Sequence, residues 1–243
     1  MTTSLPQIDT LLGVWAHPDD EAYLSSGLMA VVRRAGGRVV VATATRGELG
    51  TPDPETWPPE ALARLREEEL MTSLAHLDVR EHEWLGHRDG ALPDLPFETG
   101  VAQVSGLLER VRPDTIVTFG PDGMTGHPDH RTVSALVTEA WRRAGAQARL
   151  WYATTTPEFQ EEWDELHRRL DIWFEGFEPP VTPASHLAGV VRCDDDLLDL
   201  KHQVLRAHAS QTAVLEELLG TEVFRAWWAN EYFVAADPGS PPA

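Results

Sequence analysis

Residues 11–21 read Leu-Leu-Gly-Val-Trp-Ala-His-Pro-Asp-Asp-Glu. The first six form an apolar run of strand length, and a helical stripe of Leu24, Leu28, Val31, Val32 and Ala35 follows them. Gly36-Gly37 ends that helix, and Arg38–Thr45 (Arg-Val-Val-Val-Ala-Thr-Ala-Thr) reads as a second strand. The alternation continues with a helix over about 59–77, a short strand near 81–85 and a helix over about 97–111. A strand over 114–119, a helix over 129–144 and a fifth strand over 149–154 complete it. Strands and helices alternating at this spacing predict an α/β fold, a mainly parallel sheet with helices on both faces. We expect a single domain over residues 1–243, with the Pro-rich end at 237–243 as a disordered tail.

The residues that follow two of these strands carry chemistry. Ala16-His17-Pro18-Asp19-Asp20-Glu21 follows the first strand, and His127-Pro128-Asp129-His130 follows the fourth. In open α/β sheets ligands bind outside the carboxyl ends of the strands, so both motifs are expected at one edge. His17, Asp20 and His130 make the ligand set of a catalytic zinc site, three protein groups with a fourth position for water. The same two histidines and one carboxylate also suit Fe2+. His130 shares a helical face with Val133, Val137 and Trp141, so its ring should point inward. Asp19, beside a ligand, is placed to take a proton from the metal-activated water. His127 is read as its partner, an imidazolium that steadies the oxyanion of amide hydrolysis. Asp129 has two readings: it holds the second ring nitrogen of His127, or it is a plain helix cap. A strand-end turn with an N-cap carboxylate would explain one Asp-Asp-Glu, but not the recurrence of His-Pro-Asp.

Composition narrows the partners. Against 20 Lys and Arg stand 39 Asp and Glu, a formal charge of −19, so neither nucleic acid nor an anionic membrane meets a positive face. No apolar run reaches the length of a membrane span, and the N-terminus lacks the pattern of a signal peptide. Cys193 is the only cysteine. A cytoplasmic location is expected, with a small molecule as partner. The Glu67-Glu68-Glu69 run reads as a solvated helix face with room for one member to turn inward.

The two His-Pro motifs together resemble the PIG-L / LmbE-like family of zinc-dependent N-deacetylases. Thr45-Arg46-Gly47-Glu48-Leu49-Gly50 is similar to the family's Thr-x-Gly-Glu-x-Gly turn. Arg66-Glu67-Glu68-Glu69-Leu70, Arg88-Asp89-Gly90 and Lys201 with His208-x-Ser210-Gln211 resemble further family blocks. The resemblance implies a Rossmann-like fold, zinc on His17, Asp20 and His130, Asp19 as general base and His127 as electrostatic or acid partner. It implies an N-acetylglucosamine-type sugar or its conjugate as substrate, contacted by Glu48, Arg66, Asp89 and His208. His208 also lies on an apolar face with Leu197, Leu200 and Val204, where a hydrogen-bonded core histidine fits equally. Two departures stand out. Thr125 occupies a position where some mycothiol-type deacetylases carry Tyr, and Leu77-Asp78 replaces the usual Leu-Gly.

Other readings stay open. An amidase for a larger acyl group, such as a sugar-thiol conjugate, would share the metal chemistry. Phosphoester hydrolysis usually needs two metals, and a non-catalytic sugar-binding relative would have no use for Asp19 and His127. The stripe Phe159, Trp163, Leu166 and Leu170 predicts an amphipathic helix that is core, a homo-oligomer contact or the wall of an acyl or sugar pocket. Trp151, Trp173, Trp227 and Trp228 belong to the same Trp-rich part. His76, His82, His87, His167, His186 and His202 are read as surface or structural.

Overall fold

The computed structural model describes residues 5–174 and 176–239. In chain order the elements are β1 (Thr10–Trp15), α1 (Asp20–Arg34), β2 (Arg38–Thr43), α2 (Pro59–His76), β3 (Glu81–Trp84) and α3 (Phe97–Val111). Then come β4 (Thr115–Phe119), the short α4 (Gly123–Gly126), α5 (Pro128–Arg143), β5 (Arg149–Thr154) and α6 (Pro157–Leu170). The chain closes with β6 (Leu187–Arg192), α7 (Asp195–Ala207), α8 (Ala209–Leu219), α9 (Thr221–Trp227) and β7 (Asn230–Ala235). Of the predicted tail, 238–239 form a turn, and 240–243 lie outside the described residues.

Seven strands form one sheet in the order β3-β2-β1-β4-β5-β7-β6. The first five are parallel, as the apolar runs predict, with Leu11 beside both Val39 and Thr115. β7 and β6 add an antiparallel edge to β5, so the sheet is mixed. Strand order reverses between β1 and β4, the switch point where open sheets leave a crevice. His17 leaves β1 there, and residues 120–130 leave β4 there. Leu11, Leu12, Val14, Val41, Val117, Phe119 and Phe233 are fully buried and fill the core between sheet and helices.

Behind the sheet edge a buried ion pair ties late elements to early ones. Lys201 Nζ donates to Glu231 Oε1 at 2.5 Å and to the carbonyl of Tyr23 at 2.9 Å. The Glu231 oxygens also accept the backbone N–H groups of Gly27 and Leu28, at 2.7 and 2.8 Å. Three donors therefore meet the Glu231 carboxylate, which is how its burial is tolerated, and the Lys201–Tyr23 bond ties α7 to α1 as well.

Candidate metal centre and active site

His17 and His130 meet across the β1/β4 crevice with His17 Nδ1 3.1 Å from His130 Nε2. Asp20 joins them: Oδ1 lies 3.5 Å from His130 Nε2, and Oδ2 lies 3.7 Å from His17 Nδ1. The outer nitrogens decide what the inner ones present. His130 Nδ1 is 3.0 Å from the carbonyl of Gly123, which can only accept, so the proton sits on Nδ1 and the Nε2 lone pair faces inward. His17 Nε2 lies 3.1 Å from Asp89 Oδ1 and 3.4 Å from Asp129 Oδ2, so it too is a donor, and Nδ1 is the nitrogen that faces inward. Two ring nitrogens facing each other at 3.1 Å need a proton or a metal ion between them. The spacing is close to the edge of a tetrahedron, roughly 3.3 Å for bonds of about 2.0–2.1 Å, so the donor set fits a small divalent metal.

Charge agrees with geometry. Burial opposes a proton on His17, yet Asp129, Asp89 and Asp20 overcome it and push its pKa up to about 10. The site is thus built to hold a cation, and a metal would displace that proton. His130, whose burial is reinforced by the neighbouring His17 charge, falls to about 3 and stays neutral. Its ring stacks on Phe119 with centroids 4.1 Å apart.

Two other donor groups cluster on the same histidine, His17 with His127 and His130, and His17 with Asp89 and Asp129. The second touches the outer nitrogen of His17. Asp129, fully buried, is already occupied, for Oδ2 accepts Gly90 N–H at 2.8 Å and Oδ1 accepts Leu92 N–H at 3.2 Å. Asp89 Oδ2 accepts Leu49 N–H at 2.9 Å. Burial would raise the Asp89 carboxyl, but His17 and that N–H hold it at about 2. Both carboxylates are better suited to orienting His17 than to binding metal.

This corrects the expected role of Asp129. Its carboxylate serves His17, and only its backbone N–H reaches His127, donating to Nδ1 at 3.1 Å. The reason is the helix start: Pro128 takes the first position of α5, His127 becomes the N-cap, and the Asp129 side chain turns to the 90–92 loop. The imidazolium reading of His127 changes with it. Nδ1 is an acceptor, and burial together with the His17 charge lowers the ring to about 4, leaving a neutral Nε2–H donor.

Asp19 sits before α1 with φ 111° and ψ −29°, left-handed backbone at a non-glycine residue. Its side chain does not cap the helix but meets Arg66 Nη2 at 3.1 Å. Arg66 also donates to the carbonyls of Pro18 and Gly47, at 2.5 and 2.8 Å. A Cβ at Gly47 or Gly50 would run into the guanidinium, which gives the two glycines of that turn their reason. Burial raises the Asp19 carboxyl against the Arg66 charge, to about 7.

Of the expected substrate contacts, Arg66 and Asp89 line the cavity at this edge, a space of about 510 Å³. Glu48 and His208 do not line it. Glu48 accepts Asp89 N–H at 3.0 Å, fixing the loop. His208 is fully buried, its Nε2 2.7 Å from Glu21 Oε1, and so is the core alternative. Ser210 donates twice to Glu69, the member of the acidic run that turns inward. Sequence reasoning missed His167, which is buried and lines the cavity with Phe159, Ile172, Trp173, Trp227 and Trp228. The Phe159 end of the α6 stripe therefore faces the cavity, as one of its three readings had it.

The chain is similar to known proteins over most of its length. The family described as PIG-L, GlcNAc-PI de-N-acetylase, matches residues 12–141. A 1D-myo-inositol 2-acetamido-2-deoxy-alpha-D-glucopyranoside deacetylase of Kineococcus radiotolerans is 32% identical, covering 94% of this chain and 78% of its own. The protein of the same description from Corynebacterium diphtheriae is 29% identical, covering 82% and 75%. Among solved structures, N,N'-diacetylchitobiose deacetylase from Pyrococcus horikoshii superposes with a TM-score of 0.61 at 23% identity, over 95% of this chain and 85% of that one.

Proposed function

We propose a function from one premise: the chain belongs to the PIG-L (GlcNAc-PI de-N-acetylase) family. It is a metal-dependent hydrolase that removes an acetyl group from an N-acetylglucosamine-type amino sugar or a conjugate of one. The observation that carries this is the meeting of two inward-facing imidazole nitrogens with the Asp20 carboxylate beside Asp19.

His17, Asp20 and His130 are the residues that would hold the ion, which we take to be zinc. When bound, zinc lowers the pKa of a water and polarises a carbonyl. Asp19 accepts a proton from the attacking water and returns it to the departing nitrogen, so the C–N bond breaks to give acetate and a free amine. Burial, which raises the Asp19 carboxyl, suits it to both directions of that transfer. Arg66 holds Asp19 in place. His127 directs its Nε2–H at the carbonyl oxygen as charge gathers there, a neutral donor that needs no second proton. Asp129 and Asp89 keep His17 in the tautomer that offers Nδ1. A cytoplasmic location belongs to the same proposal, supported by a single half-buried cysteine. No helix among the described residues is long and apolar enough to cross a membrane.

Amine release from a panel of N-acetylglucosamine derivatives, with metal content measured on the same sample, tests the reading. Release is expected from at least one sugar amide, with one divalent ion per chain. Metal-loaded protein that releases amine from none of them overturns it.

A further inference from the structure

The cavity at the metal centre has two ends of different character. Asp19, Asp20, Arg66, Asp89 and His127 line one. Phe159, His167, Ile172, Trp173, Trp227 and Trp228 line the other, a wall with no part in the proposed reaction. Tyr23 marks the join: its ring lies 4.5 Å from Trp228, while burial and the Asp19 charge raise its phenol. At about 510 Å³ the space is of the size that holds a drug-sized ligand, more than one sugar ring fills.

The wall presents carbon. His167 Nδ1 and Trp228 Nε1 are buried, out of reach of anything in the cavity. Trp227 Nε1–H is spent on His167 Nε2 at 3.0 Å. Thr155, another lining residue, donates its hydroxyl to the Pro180 carbonyl and accepts from Gln160 Nε2 at 2.9 Å. The six side chains of the wall are left with Trp173 Nε1–H as their one open donor and with no free acceptor. Burial lowers the His167 ring to about 4, so the wall is uncharged at pH 7. Its rings adjoin: His167 lies 5.1 Å from Trp173 and 5.7 Å from both Phe159 and Trp227, centroid to centroid. Trp227 and Trp228 lie 4.5 Å apart.

Aromatic faces also stack on the C–H face of a sugar, but a polyol needs partners around its rim. Here a hydroxyl turned to the wall gives up water and gains no acceptor. An apolar group loses nothing on the same surface and buries its area there. We propose that the wall is a specificity subsite for an apolar aglycone carried on the anomeric oxygen of the amino sugar. This rests on the deacetylase reading, in which the acyl group is an acetyl held at the metal, so the rest of the substrate extends from the sugar. It names the conjugate as an N-acetylglucosaminide of a hydrophobic alcohol or phenol, not of a polyol.

Cyclohexyl and inosityl N-acetylglucosaminides form the decisive pair, because their aglycones share a carbocycle of one size and differ in free hydroxyls. N-Acetylglucosamine is the plain reference, and glucosamine with an N-cyclohexylacetyl group puts the same ring on the acyl side. The cyclohexyl glycoside should exceed N-acetylglucosamine about 10–100-fold in kcat/KM, chiefly through KM, the scale of one buried apolar group. It should exceed the inosityl glycoside at least about tenfold. Trp173→Ala should reduce the cyclohexyl-to-plain ratio about tenfold, and Trp173→Phe should keep most of it, since the ring face is what is used. Ile172→Asn, which puts an amide into the wall, should lower the cyclohexyl-to-inosityl ratio about tenfold. Both residues are half-buried and follow α6, outside any helix or strand.

Binding gives a readout apart from turnover. In calorimetric titration of metal-free protein, cyclohexyl glucosaminide should bind at least about tenfold tighter than inosityl glucosaminide, and Trp173→Ala should remove that preference. Equal kcat/KM for the cyclohexyl and inosityl glycosides overturns the proposal, as does a cyclohexyl gain unchanged in folded Trp173→Ala and Ile172→Asn. A gain confined to the N-cyclohexylacetyl substrate overturns it too, because the ring then belongs to the acyl group. If metal-loaded protein releases no amine while the Trp173-dependent binding preference persists, the subsite stands and the deacetylase reading falls. Amine release without that preference does the reverse.

Discussion

Replacing Asp129 with Asn is nearly isosteric, yet every contact of this buried carboxylate depends on its having two acceptor oxygens. Oδ2 faces Gly90 N–H at 2.8 Å and His17 Nε2 at 3.4 Å, and Oδ1 faces Leu92 N–H at 3.2 Å. An amide keeps one acceptor, so whichever way it is flipped one donor points at another. A buried donor left unpaired costs about 1–3 kcal/mol. If the amide oxygen goes to Leu92, the NH2 confronts Gly90 and His17, and the histidine loses a carboxylate that fixes its tautomer. Loss of such an outer partner typically weakens metal binding about 10–100-fold. Asp129→Asn should therefore lower zinc affinity by that factor, read by competition against a chromophoric chelator at pH 7. It should also lower the unfolding free energy of the metal-free protein by about 1–3 kcal/mol in urea. Were Asp129 instead the partner of His127, zinc affinity would stay at the wild-type value and only kcat would fall. That result would refute the assignment.

Dialysis against a chelator should abolish amine release, and one equivalent of zinc or Fe2+ should restore it; full turnover by metal-free protein would contradict the site. His130→Ala should lose metal, whereas His127→Ala should keep it and lose ~10²–10³-fold in kcat, and the opposite pattern in metal titration would reverse the pair. Asp19→Asn should keep metal while kcat falls ~10²–10⁴-fold. In the wild type, activity should be lost as pH falls through a limb at or below about 7, because a bound cation lowers the Asp19 carboxyl from its raised value. Asp19→Asn should remove that limb from its residual rate, and a persisting limb would assign it to another group. Lys201→Met strands the buried Glu231 charge and should cost roughly 3–5 kcal/mol in urea unfolding, with Lys201→Met/Glu231→Leu recovering part of it. A change under about 1 kcal/mol in the single variant would mean the pair is not buried as described.

The parallel half of the fold was legible because its strands, the edge strand β3 (Glu81–Trp84) excepted, are apolar on both faces. β1 and β2 show unbroken runs, and their helices end on recognisable stops such as Gly36-Gly37. β6 and β7 gave no such signal. Leu187–Arg192 pairs antiparallel at the sheet edge, outside the strand–helix alternation, and Asn230–Ala235 alternates around Glu231, whose burial depends on Lys201 arriving from α7. The meeting of His17, Asp20 and His130 was legible for a similar reason, since His-Pro after a strand fixes where the side chains emerge. Outer contacts were not, because they come from loops remote in sequence. Asp129 belongs with Gly90 and Leu92, and His167 is drawn inward by Trp227 of α9, leaving only a helical stripe with a histidine at its margin to suggest it.

One backbone angle joins these remote pieces. Asp19 and Asp20 are consecutive, yet one must reach toward Arg66 and the other toward His17, whose backbone N–H donates to Asp20 Oδ2 at 2.8 Å. The left-handed φ at Asp19 makes that divergence possible, at a cost of order 1–3 kcal/mol for a residue with a Cβ. Glycine would relieve the cost and remove the carboxylate proposed as base. What holds the strained residue is an outer set of contacts. Glu21 Oε2 accepts Asp19 N–H at 3.0 Å, and Glu21 Oε1 is held by His208 and Ser73, at 2.7 and 3.2 Å. Arg66, admitted by two glycines, grips the Pro18 carbonyl and the Asp19 carboxylate together. The sequence blocks around Gly47, Arg66 and His208 are therefore better understood as supports for the pose of Asp19 than as separate substrate contacts. Their spacing along the chain follows from which elements surround the start of α1.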